Sequence, residues 1–191
     1  MTARRAVATI PIVTGRLPAD NPFAAADAPA RSLNRARLVA LPGIDGVAAL
    51  LGHSASELLS KAAVTALVRD AAGPLALDPA TGDLLRAFDG AFASAATRPA
   101  ALAVAEEVGR RLGALLLTLW RGDTANRAAR PEWDDVHWAY WAIVKQVVVG
   151  GGLLAGRLGE AAVPAAGAVL ASNGRPLPRE GAPHAGANAP V

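Results

Sequence analysis

Three consecutive glycines, Gly150, Gly151 and Gly152, follow the β-branched run 147–149 and precede Leu153 and Leu154. Glycine gives up more backbone freedom on folding than any other residue, so three in a row need a reason. One reason is a ligand: without β-carbons, a flat base or a phosphate can approach the main chain, and amides of a following helix can face its polar groups. The other is packing: the run allows a sharp strand-to-helix turn, and Gly156 and Gly159 allow the helix to lie close to its neighbours. Two phosphate motifs are excluded. No acidic residue stands about 20 residues beyond the run, as a dinucleotide fingerprint requires, and no Gly-Lys-Ser/Thr follows it, as a P-loop requires.

Other residues could also do chemistry. Asp134 and His137 are spaced i, i+3, which suits a metal or a proton relay, but His53 and His184 lie in unrelated segments and no third ligand is evident. The alternative is a surface or interface histidine, and no metal site is assigned. Trp133, Trp138, Tyr140 and Trp141 cluster beside it; Trp138 and Trp141 share a helix face and either anchor that helix to a sheet or stack on a sugar or base. Asp123, Asn126 and Arg127 could touch phosphate or substrate, or belong to a solvated connection. The Arg121-Gly122-Asp123 triplet reads as loop chemistry, and Glu106, Glu107, Arg110 and Arg111 as helix-stabilising pairs. No residue is assigned as a catalytic base.

The elements that must position these groups follow from caps and periodicity. Ser54 and Glu57 have capping-box spacing before an apolar run that stops at Gly73-Pro74, which predicts a helix over 54–71. A turn near 42–46 precedes a short helix ending at Gly52. The segment 74–92 reads as a strand-like excursion, from the alternation at Leu75 and Leu77 and the polar turn 78–82. Thr97 as cap and Pro99 in the first turn open a long helix to about Trp120. A charged loop, 121–133, leads to a helix over 134–145 with an acidic first turn. Residues 146–149 form the best strand, and a helix follows from 156 to 170 with Pro164 near its start or breaking it. Residues 1–32 form an irregular arm, 33–172 one helix-rich domain, and 173–191 a Pro/Gly-rich tail.

Composition bounds the function. The chain has 191 residues, 52% of them hydrophobic, which suits one domain with a sizeable core. With no cysteine, disulfides and thiolate chemistry are excluded. The net charge is +3, and the arginines are scattered rather than striped with aromatics, so nucleic acid is not the expected partner. No apolar stretch reaches the roughly 20 residues of a membrane span, and the start of the chain makes no signal peptide, so the cytoplasm is the expected location.

The stretch 146–170, QVVVGGGLLAGRLGEAAVPAAGAVL, resembles the adenosine motif of the actin, sugar-kinase and heat-shock-chaperone ATPase superfamily, nearest to sugar kinases of the repressor/kinase group. The helix before it, DDVHWAYWAIVKQ, is similar to the element leading into that strand. The resemblance covers about residues 97–172. It implies an α/β, helix-dominated fold, a partial ribonuclease-H-like lobe with a small sheet and flanking helices. It implies ATP as ligand, with Mg only when ATP is bound, and a sugar as acceptor substrate. Gly150, Gly151 and Gly152 would line adenine and ribose, with Leu153 and Leu154 alongside. The Asp-x-Gly-Ser/Thr phosphate motif has no counterpart, since 44–47 and 88–91 lack the hydroxyl. The expectation is therefore a nucleotide-binding lobe without independent phosphotransfer, its phosphate grip supplied by a missing N-terminal lobe. The alternative is a non-enzymatic helical interaction or regulatory module, able to form a homo-oligomer, whose glycine turn serves packing.

Overall fold

The computed structural model describes residues 21–24, 32–145, 147, 149, 152–154 and 156–175. Its helices are α1 (Ala55–Leu59), α2 (Lys61–Asp70), α3 (Leu84–Ala91), α4 (Arg98–Arg121), α5 (Thr124–Ala128), α6 (Asp135–Ile143) and α7 (Arg157–Ala171), with 3-10 turns at Leu33–Arg35 and Ala48–Leu50. Among the described residues there is no strand, so the expected α/β lobe with a small sheet is overturned. Strand-like pairing is confined there to one isolated antiparallel bridge, Arg37 with Ser54.

The reason lies in pairing. A β-branched run becomes a strand only if a second run can accept its hydrogen bonds. Val147 instead packs as a half-buried side chain against the core. The other strand-like segment winds into turns: Leu75 N–H donates to Ala71 O at 3.1 Å and Leu77 N–H to Ala72 O at 2.9 Å. Both leucines turn down onto one apolar cluster, and that gives their alternation without a strand.

α4 is the axis of the fold. It is 24 residues long, and its C-terminal half is buried on all sides from Gly113 to Trp120, as expected of a helix apolar around its circumference. Its N-terminal half, through Ala101, Val104, Ala105 and Val108, joins a cluster with α2, α3 and the start of α7. Its C-terminal half joins a second cluster with segment 36–58, Trp133, Trp138 and Leu170. Phe23, within the expected N-terminal arm, is buried there too.

α7 lies parallel to α4. Gly109 faces Ala162, Ala165 and Ala166, while Gly113, one turn on, faces Ala166 and Val169. A β-carbon on Gly113 would stand 2.8 Å from Val169 Cβ and 3.0 Å from Ala166 O. Two glycines at i, i+4 therefore let the backbones approach more closely than any side chain would allow. The lost helix propensity, about 1 kcal/mol per glycine, is offset by dispersion contacts along the seam. Pro164 sits inside α7 and does not break it; it is on the exposed face, where water can bond the carbonyl that its missing N–H leaves free.

Local capping explains the remaining differences. The expected single helix over 54–71 is two, because Ser60 turns extended (φ −64°, ψ 162°) and caps α2 by accepting Ala63 N–H at 3.2 Å. The Ser54–Glu57 capping box is present. Thr97 does not cap α4; its hydroxyl donates to Ala91 O at 2.7 Å and ties the α3 end to the α4 start.

Candidate functional site

Gly150 and Gly151 lie outside the described residues. Gly152 is exposed in a turn, with nothing within 4 Å of its β-carbon direction. Leu153 and Leu154 are half-buried and pack on the cluster formed by α2, α3 and α4, so they face the core. Gly159 is required for packing: a β-carbon there would collide with the backbone carbonyl of Leu154.

The start of α7 is already occupied. Asp89 on α3 points its carboxylate at that helix terminus, and Oδ1 accepts Arg157 N–H at 3.0 Å. A β-carbon on Gly156 would stand 2.8 Å from the same oxygen. An acid at a helix N-terminus complements the partial positive charge of the unpaired amides. Asp89 thus fills the position that a phosphate would take. Neither feature could be paired from the sequence, because 68 residues separate Asp89 from Arg157.

Beside this terminus is an open depression of about 500 Å³ lined by Phe92, Arg98, Leu102, Arg157, Glu160 and Ala161. None of the residues singled out as ligand contacts lines it. Arg98 and Arg157 are the first residues of α4 and α7, and they become neighbours through the parallel packing. Arg98 Nε is committed to Phe92 O at 3.0 Å. The only sequence signal for the pair was their shared position at predicted helix starts.

The aromatic cluster is a core element. Phe23 meets Trp133, His137 and Tyr140 edge-on, with ring centroids 5.0, 4.9 and 5.8 Å apart. Trp138 is buried against Trp133 at 5.3 Å, so it anchors α6 to α4 and its surroundings rather than to a sheet. His137 is buried rather than on the surface, and its Nδ1 bonds Asp134 Oδ1 at 2.6 Å. The same carboxylate oxygen caps α6 by accepting Val136 N–H at 3.0 Å and His137 N–H at 3.2 Å. These bonds, the His137 side chain foremost, hold the Asp134 carboxyl below its ordinary range. Among the described residues no group of three His, Cys, Asp or Glu could hold a metal ion.

The charged segment 121–133, expected as a loop, contains α5, and its side chains bond neighbouring backbone. Gly122 ends α4 in the left-handed conformation (φ 53°), while Arg121 pairs with Asp123 at 3.1 Å and donates to Pro42 O at 2.8 Å. Asn126 is buried against the backbone of Val39 and Ala40. Arg127 donates to Gly122 O at 2.6 Å and to Asp135 at 2.8 Å. Arg130 lies 3.7 Å above the Trp133 ring and donates to Ser32 O at 2.8 Å. Glu107 bridges Arg110 and Arg111, which reach the carbonyls of Gly46 and Leu58.

The outward side of α6 differs from all of these. Val136 and Ile143 are 60% and 57% exposed, Ala139 is exposed and Tyr140 half-buried, all at i, i+3, i+4, i+7 spacing. No helix among the described residues is long and apolar enough to cross a membrane. No protein-family model matches the chain, and no curated protein or solved structure matches it either.

Proposed function

We propose that this chain is a non-enzymatic helical interaction module, with its glycines serving packing. The observation that carries this reading is α6, which is apolar on both sides: His137 and Trp138 are buried inward while Val136, Ala139 and Ile143 face outward. A helix apolar all round is normally covered all round, so the outward stripe fits a protein surface. Asp89 at the start of α7 and the close seats of Gly109, Gly113 and Gly159 support the packing role. A cytoplasmic location belongs to the same proposal.

A nucleotide-contact reading keeps one observation in its favour, the exposed Gly152 with open space around it. On that reading ATP, with Mg, would lie on the glycine turn and a sugar would be phosphorylated only with help from another chain. Titration with Mg-ATP separates the two readings, followed by calorimetry and by fluorescence of the four tryptophans. The interaction reading expects no binding at about millimolar nucleotide, a concentration that would detect even an affinity near −4 kcal/mol. Saturable binding by the folded chain would overturn it.

A further inference from the structure

We propose that the outward face of α6 pairs with the same face of a second copy of this chain, antiparallel about a two-fold axis passing between Ala139 and Tyr140. This rests on the interaction reading and names its partner. The argument is that the stripe is self-complementary when reversed. About that axis, Val136 meets Ile143 of the second copy, and Ala139 meets the part of Tyr140 left exposed by its packing on Phe23. Both β-branched residues are more than half exposed, while the opposite face of α6 is already committed to Phe23, Trp133 and the α4 cluster.

Charge gives the direction. Asp135, with a side chain 95% exposed, stands at the start of α6. Lys145 is exposed just past its end, and Arg175 donates to Ala142 O there at 3.2 Å. An antiparallel pair sets each Asp135 beside the cations of the other copy and opposes the helix dipoles; a parallel pair would set acid on acid. Asp135 keeps its 2.8 Å bond to Arg127 within its own chain through one oxygen, while its side chain stays 95% exposed. An isologous contact of this kind repeats every favourable pair twice. A nine-residue helix face buries less than the roughly 1,200 Å² of a standard interface, so the association is weak and concentration-dependent.

Sedimentation equilibrium of the full chain, from about 10 µM to about 1 mM, tests this. The expected result is a monomer–dimer equilibrium in that range. Ile143→Asp should weaken it at least about tenfold, with unchanged circular dichroism and melting, because it removes an apolar contact at two symmetric places. Asp135→Lys and Lys145→Asp should each weaken it, and the two together in one chain should restore it. Association that survives Ile143→Asp, or paired charge reversals that fail to restore it, would overturn the proposal. A chain that stays monomeric and binds no nucleotide overturns self-pairing alone; a folded chain that binds Mg-ATP overturns the interaction reading beneath it.

Discussion

Asn126 holds Ala40 by both backbone groups: its Oδ1 accepts Ala40 N–H at 3.0 Å and its Nδ2 donates to Ala40 O at 2.7 Å. The same Oδ1 accepts Val39 N–H at 2.8 Å. A single buried side chain, 2% exposed, thus stands in for the strand that segment 38–41 would otherwise need. Asn126→Ala leaves two donors and one acceptor of the part-buried 39–40 backbone without their protein partner and should cost about 1–3 kcal/mol. Urea unfolding would measure it. Asn126→Asp, which keeps the acceptor but turns a carboxylate oxygen toward Ala40 O, should also destabilise rather than rescue.

The α4–α7 seam predicts a reversal of helix propensity. Gly109→Ala improves the intrinsic propensity of α4 yet drives a β-carbon into the Ala162 carbonyl and to 2.6 Å from Ala165 Cβ, so it should destabilise by about 1–3 kcal/mol. Gly90→Ala in α3, where a β-carbon meets nothing within 4 Å, should stabilise by up to about 1 kcal/mol. Thermal melts of the two variants should move in opposite directions. Equal shifts would mean that the helices are not seated on Gly109.

Asp134 links stability to acid. Its carboxyl is held below the ordinary value of 3.8, first by the His137 side-chain bond and then by the backbone amides of His137 and Val136. A depressed carboxylate contributes stability above its unfolded value and loses it as pH falls through the folded value. Wild type should therefore lose stability below about pH 4 more steeply than Asp134→Asn, which can still cap α6 but carries no charge. Denaturant midpoints between about pH 2 and pH 7 give the comparison.

Much of the helical skeleton was legible in the sequence because its signals are local. Ser54 with Glu57 and Asp134 before α6 each fix an end through bonds to residues within one turn, and Pro99 favours a first turn through its fixed φ. The errors arose where a local pattern needed a distant partner. The run 147–149 has strand composition but no described strand to pair with, and Leu75 with Leu77 alternate because a turn drops both into the core. Leu153 and Leu154 pack on that same core, and their place beside the glycine turn does not encode which way they face. Asp89 filling the start of α7, the cationic pair Arg98 and Arg157, and the grip of Asn126 on Ala40 all depend on the parallel seating of α4 and α7 or on the return of segment 38–41. No spacing within a window of sequence encodes them.

Arg130 gives a test of guanidinium against ammonium. It is 2% exposed, stacked 3.7 Å above Trp133, and bonded to Ser32 O at 2.8 Å. Burial lowers its pKa from the ordinary value, with Glu132 opposing that shift at 3.5 Å. A planar, weakly hydrated fork tolerates such a place; a compact, strongly hydrated ammonium does not. Arg130→Lys should therefore destabilise by about 1–3 kcal/mol despite keeping the charge, through the lost stacking and the greater desolvation penalty. Arg130→Met keeps an apolar chain over Trp133 without burying a charge, so it should cost no more than the lysine variant. Guanidinium unfolding of the two variants decides the point. A lysine variant as stable as wild type would show that charge, and not planarity, is what the aromatic cluster holds.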